Sequence, residues 1–191
     1  MKKMIIYIHG FASSGYGSKA LIFKAHFKAH AQRVRYLHPS LSPVPQLAVA
    51  TLENLIETLE KDYEIALMGS SLGGFYALYL AERYGLKAVL INPALKAQHT
   101  LLKYAGLNKN FYDGAAFEML PSHLEYLKTL EQPAPADQEK LLLMLQKGDD
   151  VLDYREALAL LPKAKLILEE GGDHSFSGIE RHFDAIEDFL A

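Results

Sequence analysis

One serine of the segment MGSSLGGFYA has the neighbours that a reactive serine needs. Gly69 and Gly73 stand two residues before and two residues after Ser71, which completes a G-x-S-x-G pattern that the adjacent Ser70 does not fit. The apolar run EIALMG precedes this serine and the helix-forming run FYALYLAERYG follows it. This strand–turn–helix order is typical of a nucleophile elbow, in which a strained turn exposes the hydroxyl. The pattern predicts that Ser71 Oγ attacks an electrophilic carbon.

A serine hydroxyl is a weak nucleophile unless a base lies beside it. His174 is the best candidate, because it lies in EEGGDHSF between the last apolar run, KLILEE, and the terminal helical segment. Reactive groups of open α/β sheets collect where the strands end. Asp173 is interpreted as a loop residue, since adjacent side chains rarely orient each other.

The acid that would orient the histidine is sought in the segment KGDDVLDY, which offers three aspartates. Asp153 and Glu156 form a D-x-x-E pattern that predicts a helix cap, so this aspartate already has a structural role. Asp149 and Asp150 remain. Asp149 is favoured because it opens the turn directly after the strand, and Asp150 stays as the alternative.

The three residues follow one another as Ser71, Asp149 and His174, which is the chain order of α/β-hydrolases. Such a triad transfers acyl groups and needs two N–H donors for the oxyanion of the tetrahedral intermediate. One donor is expected to be the backbone N–H of Leu72, next to the nucleophile. The other is expected to be that of Phe11, in the loop HGFASS after the first strand.

Strands and helices that could position these residues alternate along the chain. Continuous apolar runs predict strands of a mostly parallel sheet of about six strands, covered on both faces: MIIYI, VRYLH, EIALMG, KAVLIN, KLLLMLQ and KLILEE. Helical spacing follows Pro45 and also covers Phe75 to Tyr84, where Gly85 is expected to end the helix. Ser177 and Glu180 form an S-x-x-E pattern that predicts the cap of the terminal helix. The chain is therefore predicted to fold as a doubly wound α/β domain.

One segment, from about residue 95 to 137, lacks a clear strand and carries five scattered aromatic residues and Met119. A connection of this length predicts a small helical insertion rather than a bare loop. The expectation is a single domain over residues 1–191, in which the aromatic residues of this insertion contribute to a hydrophobic acyl pocket.

Composition excludes several classes of function. The 191 residues carry a formal net charge of -3 with scattered basic residues, so no nucleic-acid partner is expected. The absence of cysteine rules out disulfides, thiolate metal sites and a cysteine nucleophile. No apolar run approaches the ~20 residues of a membrane span, and the opening MKKMIIYIHGF is too short in its apolar part for a signal peptide. A cytoplasmic protein is expected.

Four motifs together resemble a known family. IIYIHGFASSGYGSKA, GSSLGGFYA, LLLMLQKGDDVLDYREA and GGDHSFSGIE occur in this order over almost the whole chain. They are similar to those of the small bacterial YqiA-like esterases, a formerly uncharacterised family within the α/β-hydrolases. The resemblance implies a compact α/β-hydrolase fold with a lid, and a triad of Ser71, Asp149 and His174.

The expected activity is hydrolysis of a small-molecule carboxylic ester or acyl thioester through an acyl-enzyme, without metal or organic cofactor. An acyltransferase or thioesterase with the same triad is one alternative, and a non-catalytic binding protein of the same fold is another. A nucleotide site is not expected, because GFASSGYG lacks the Lys-Ser/Thr of a phosphate-binding loop. Oligomeric state, acyl chain length and leaving group are left open.

Overall fold

The computed structural model describes residues 2–29, 34–131, 133 and 135–190. The strands are β1 (Lys2–Ile8), β2 (Val34–Leu37), β3 (Tyr63–Ser70), β4 (Lys87–Ile91), β5 (Gly106–Lys109), β6 (Ala116–Met119), β7 (Leu141–Gln146) and β8 (Lys165–Glu169). The helices are α1 (Ser18–Ala29), α2 (Pro45–Leu59), α3 (Leu72–Tyr84), α4 (Ala97–Leu101), α5 (Pro121–Leu130), α6 (Tyr154–Leu160) and α7 (Phe183–Leu190).

Six strands form one parallel sheet in the order β2-β1-β3-β4-β7-β8. The doubly wound parallel sheet predicted from the apolar runs is thereby confirmed. The chain leaves β1 toward one edge and then returns past it to β3, so the winding direction reverses between these two strands. Their carboxyl ends lie side by side, with Ile8 in register with Gly69. Ligands of doubly wound folds bind at such a reversal.

Helices cover both faces of the sheet, as the continuous apolar strands require. On one face, Ile6 and Leu67 pack with Leu52 of α2 and with Leu80 of α3. On the other face, Ile5 belongs to a second cluster with aromatic and aliphatic residues of α1 and α7. The sheet is therefore a rigid platform, and the loops at its carboxyl edge can carry the reactive groups.

Two of the three helix-end predictions are confirmed. Gly85 ends α3 with a left-handed φ of 66°, as expected, and the side chain of Asp153 caps α6 by accepting the N–H of Arg155. The cap predicted at Ser177 is wrong. A 3₁₀ turn with Gly178 as its cap residue precedes α7, and the Ser177 hydroxyl donates to a carboxylate within its own loop instead.

The segment predicted as a helical insertion contains α4 and α5, but also an antiparallel hairpin of β5 and β6. The strand prediction missed this hairpin because its residues alternate between exposed and half-buried, without an apolar run. Contacts with the loop after β1 hold it: Phe111 N–H donates to the Ala12 carbonyl at 2.7 Å, and Asn110 Nδ2 donates to the Ser13 carbonyl at 3.0 Å.

Candidate active site

The turn between β3 and α3 holds Ser71 in a backbone conformation that non-glycine residues rarely adopt, with φ 56° and ψ −121°. The two glycines of the motif are required by close approach. A Cβ on Gly69 would lie 2.1 Å from the Gly73 carbonyl oxygen, and one on Gly73 would lie 2.0 Å from the Ile8 carbonyl oxygen. Strand, turn and helix are thus packed backbone to backbone, and this packing sustains the strained conformation.

The structure brings together the three residues of the predicted triad. His174 Nε2 lies 3.0 Å from Ser71 Oγ, and His174 Nδ1 lies 2.8 Å from Asp149 Oδ2. An ionised carboxylate only accepts hydrogen bonds, so Nδ1 carries the ring proton and Nε2 is free to accept from the serine hydroxyl. This is the tautomer that a general base requires.

The environment of Asp149 favours its ionised form. Its side chain is only 2% exposed, and Oδ1 accepts the N–H groups of Val151 at 2.8 Å and Leu152 at 2.9 Å. Burial raises the pKa of Asp149, but the hydrogen bonds from His174, Leu152 and Val151 outweigh it and bring the pKa below its ordinary value. Asp150, the alternative acid, is an exposed residue of the same turn.

The two expected oxyanion donors follow adjacent strands, Phe11 after β1 and Leu72 after β3. Leu72 is the first residue of α3, where N–H groups have no acceptor within the helix. His9 orients the peptide unit between Gly10 and Phe11. Its Nε2 accepts the N–H of Leu41, so its Nδ1 carries the ring proton and donates to the Gly10 carbonyl at 2.9 Å. In a trans peptide the carbonyl and the next N–H point in opposite directions, so His9 directs the Phe11 N–H away from itself.

Two buried amides, not identified from the sequence, hold the histidine loop. Asn92 Nδ2 donates to the backbone carbonyls of Asp173 and His174, at 3.0 and 3.2 Å, and its Oδ1 accepts the N–H of Gln146. Gln146 Oε1 in turn accepts the Asp173 N–H at 2.9 Å, and its Nε2 donates to Glu169. Asn92 and Gln146 are 2% and 1% exposed. The available signal was that each polar residue ends or follows an otherwise apolar strand.

A cavity of about 540 Å³ opens beside the triad and is lined by Ser71 and His174. Phe11, Tyr104 and Phe111 form an aromatic wall on the side of the insertion, where the Phe11 and Tyr104 rings lie 5.0 Å apart. The lining also includes polar groups from α1 and from the loop after β8. The cavity can therefore hold a ligand with an apolar and a polar part against the triad.

Comparison with known proteins identifies the family. The family described as "Uncharacterised protein family (UPF0227)" matches residues 4–191. The chain belongs to this UPF0227 family. A UPF0227 protein of Vibrio parahaemolyticus is 26% identical over 190 residues, covering 97% of this chain and 98% of that protein. The resemblance inferred from the four motifs is thereby confirmed.

Solved structures place this UPF0227 chain in the α/β-hydrolase fold. Est1E from Butyrivibrio proteoclasticus superposes with a TM-score of 0.78 at 15% identity, over 99% of this chain and 87% of Est1E. A monoacylglycerol lipase from Paleococcus ferrophilus superposes with a TM-score of 0.69 at 14% identity, over 98% of this chain and 93% of the lipase. Within the residues that the structure describes, no helix combines the length and the apolar character that crossing a membrane requires.

Proposed function

We propose that this UPF0227 protein is a serine esterase that hydrolyses carboxylic esters or acyl thioesters through an acyl-enzyme. The observation that carries the proposal is the continuous chain of hydrogen bonds from Ser71 Oγ through the His174 ring to buried Asp149. The strained elbow and the adjoining cavity support it. The monoacylglycerol lipase among the solved structures of the same fold agrees with it.

Acylation begins when Ser71 Oγ attacks the ester carbonyl and His174 Nε2 takes the hydroxyl proton. The carbonyl oxygen becomes an oxyanion, which the N–H groups of Leu72 and Phe11 stabilise. Losing one such donor costs about 3 kcal/mol of transition-state stabilisation. As the tetrahedral intermediate collapses, the C–O or C–S bond breaks and His174 gives its proton to the leaving alcohol or thiol. Asp149 stabilises the imidazolium that exists between these transfers.

Deacylation repeats the sequence with water as the nucleophile. His174 takes a proton from water, the hydroxide adds to the acyl carbonyl, and Ser71 leaves with that proton restored. An acyltransferase would differ only in the acceptor. Adding alcohols or thiols to the reaction and quantifying the acyl products separates transfer from hydrolysis.

The central test is turnover of 4-nitrophenyl butyrate by Ser71→Ala. We expect a loss of more than about 10³-fold, because this variant has no nucleophile. Ser70→Ala should lose less than tenfold, and Ser122→Ala, on the exposed start of α5, serves as the matched control. A fluorophosphonate should label the wild-type protein at Ser71 alone. Retained turnover in Ser71→Ala, or labelling elsewhere, contradicts the proposal, and an unlabelled wild-type protein would indicate a non-catalytic binding protein.

A further inference from the structure

The cavity beside Ser71 contains a cationic side chain that the acyl-transfer cycle does not use. Lys19 lies in the first turn of α1 and is the only lysine or arginine among the described residues that line the cavity. Its ammonium donates to Ser70 Oγ at 2.6 Å. Lys19, Ser70 and Ser71 all line this cavity, so the positive charge lies in the same cavity as the nucleophile.

This ammonium has unused hydrogen-bonding capacity. It carries three N–H donors, and Ser70 is its hydrogen-bond acceptor within the described part of the chain, where no carboxylate lies within ion-pair distance. Glu180 also lines the cavity without pairing with it. Asp149 and Asp173 attract it from further away, but each already binds other groups, namely His174 and Ser177. Two of its three N–H groups therefore have no hydrogen-bond acceptor among the residues that the structure describes.

Burial of this group is costly. It lowers the pKa of Lys19 to about 8, although the negative charges of Asp173 and Asp149 oppose the change. A side chain that merely pinned α1 to β3 would need no charge there. An anion entering the cavity would compensate the buried charge and raise this pKa again.

We propose that Lys19 binds a carboxylate of the substrate, so that the enzyme prefers esters or thioesters bearing a negative charge near the scissile carbonyl. This inference rests on the proposed esterase function and names its substrate class. The apolar part of the same substrate would lie along Phe11, Tyr104 and Phe111, the aromatic residues that line the same cavity.

In other enzymes a Ser–Lys pair acts as nucleophile and base, which makes Ser70 and Lys19 an alternative catalytic pair. Ser70 is the last residue of β3 and is 6% exposed. Unlike Ser71, it does not have a left-handed backbone conformation. It therefore lacks the exposed elbow that Ser71 has. The position of Lys19 favours binding over catalysis.

The test uses two pairs of esters that differ in charge, with the full-length protein. In the first pair the charge is on the acyl side: 4-nitrophenyl hydrogen adipate and 4-nitrophenyl hexanoate. In the second it is on the alcohol side: 4-carboxyphenyl butyrate and its neutral methyl benzoate analogue. For each pair, the ratio of kcat/KM for the anionic to the neutral member is measured in wild type, Lys19→Met, Lys19→Arg and Lys24→Met. Lys24 is a matched control, because it is exposed on the same helix.

We expect wild type to favour the anionic member of one pair by about 10- to 100-fold, as one charge-assisted hydrogen bond would provide. Lys19→Met should bring that ratio to about one, while Lys19→Arg and Lys24→Met keep it. The pair that responds identifies the side of the ester that carries the charge. A thermal melt verifies that each variant is folded. If Lys19→Met does not fold, the ratios measured for wild type and Lys19→Arg still test the inference.

A wild-type ratio of one or less in both pairs would overturn the inference. An unchanged preference in Lys19→Met would also overturn it. So would an equal fall in kcat/KM for both esters of a pair, because that result would indicate a catalytic role for Lys19. Turnover of neutral esters that disappears in Ser71→Ala would leave the proposed esterase function standing in each of these cases. If wild type turns over none of the four esters, the inference falls together with that function.

Discussion

Asp149→Asn is the perturbation whose outcome the structure determines most directly, because the two oxygens of this carboxylate have different partners. Oδ1 accepts the N–H groups of Val151 and Leu152, whereas Oδ2 accepts the Nδ1 proton of His174. An asparagine would keep its oxygen toward the two backbone donors, since its NH₂ group cannot accept from them. The NH₂ group would then face Nδ1 of His174.

Two donors cannot bind each other, so the ring proton of His174 would move to Nε2. That nitrogen could no longer accept the hydroxyl proton of Ser71. In a serine triad this change of tautomer lowers kcat by about 10⁴-fold, which corresponds to about 5 kcal/mol of lost transition-state stabilisation.

The assay is kcat and KM for 4-nitrophenyl butyrate, together with a thermal melt to verify folding. Asp150→Asn is the control, because it removes the same charge from the exposed neighbouring position. It should retain activity within about twofold, as is usual for exposed positions. If Asp149→Asn keeps more than a tenth of the activity, or Asp150→Asn is the more damaging change, the orientation argument is refuted.

Three further predictions concern the supports of the site. Asn92→Asp removes both N–H donors from the carbonyls of the histidine loop, so kcat for a neutral aryl ester should fall by about 10²-fold with little change in KM; an equal loss through KM would argue against positioning. Gly73→Ala places a Cβ 2.0 Å from the Ile8 carbonyl oxygen, and should lower the free energy of unfolding by about 3 kcal/mol in urea titrations; wild-type stability would mean that the elbow tolerates expansion. The hydrogen bond from Arg181 is the largest of the effects that lower the pKa of Glu169 to about 2. Burial raises this pKa, but hydrogen bonds from Gln146 and His182 lower it further. Because this pKa is depressed, the stabilisation is present above about pH 4.5 and is lost as pH falls toward 2, so Glu169→Gln should flatten the pH dependence of unfolding in that window.

Features that depend on neighbours in the chain were predictable from the sequence. The glycines around Ser71 indicated an elbow because the steric conflict between Gly69 and Gly73 arises within a single strand–turn–helix unit, although Gly73 also lies against the end of β1. The six strands of the sheet were predicted from continuous apolar runs. The end of α3 was predicted from Gly85, because glycine readily adopts the left-handed conformation that ends a helix. The hairpin of β5 and β6 was missed because its two strands are short and lack a continuous apolar run, and because docking onto the loop after β1 holds it.

Partnerships across the sheet were decided by the tertiary structure. Asn92 and His174 are 82 residues apart, and Lys19 and Ser70 are 51 residues apart, so no local pattern records their contacts. They meet because the strand order β2-β1-β3-β4-β7-β8 places the ends of β1, β3, β4 and β7 along one edge. The sequence by itself determined which residue types could do acyl-transfer chemistry and the turns that expose them. Only the tertiary structure decided that Asp149 rather than Asp150 lies against the histidine and that a lysine enters the cavity, because both depend on the direction in which distant loops turn over the sheet.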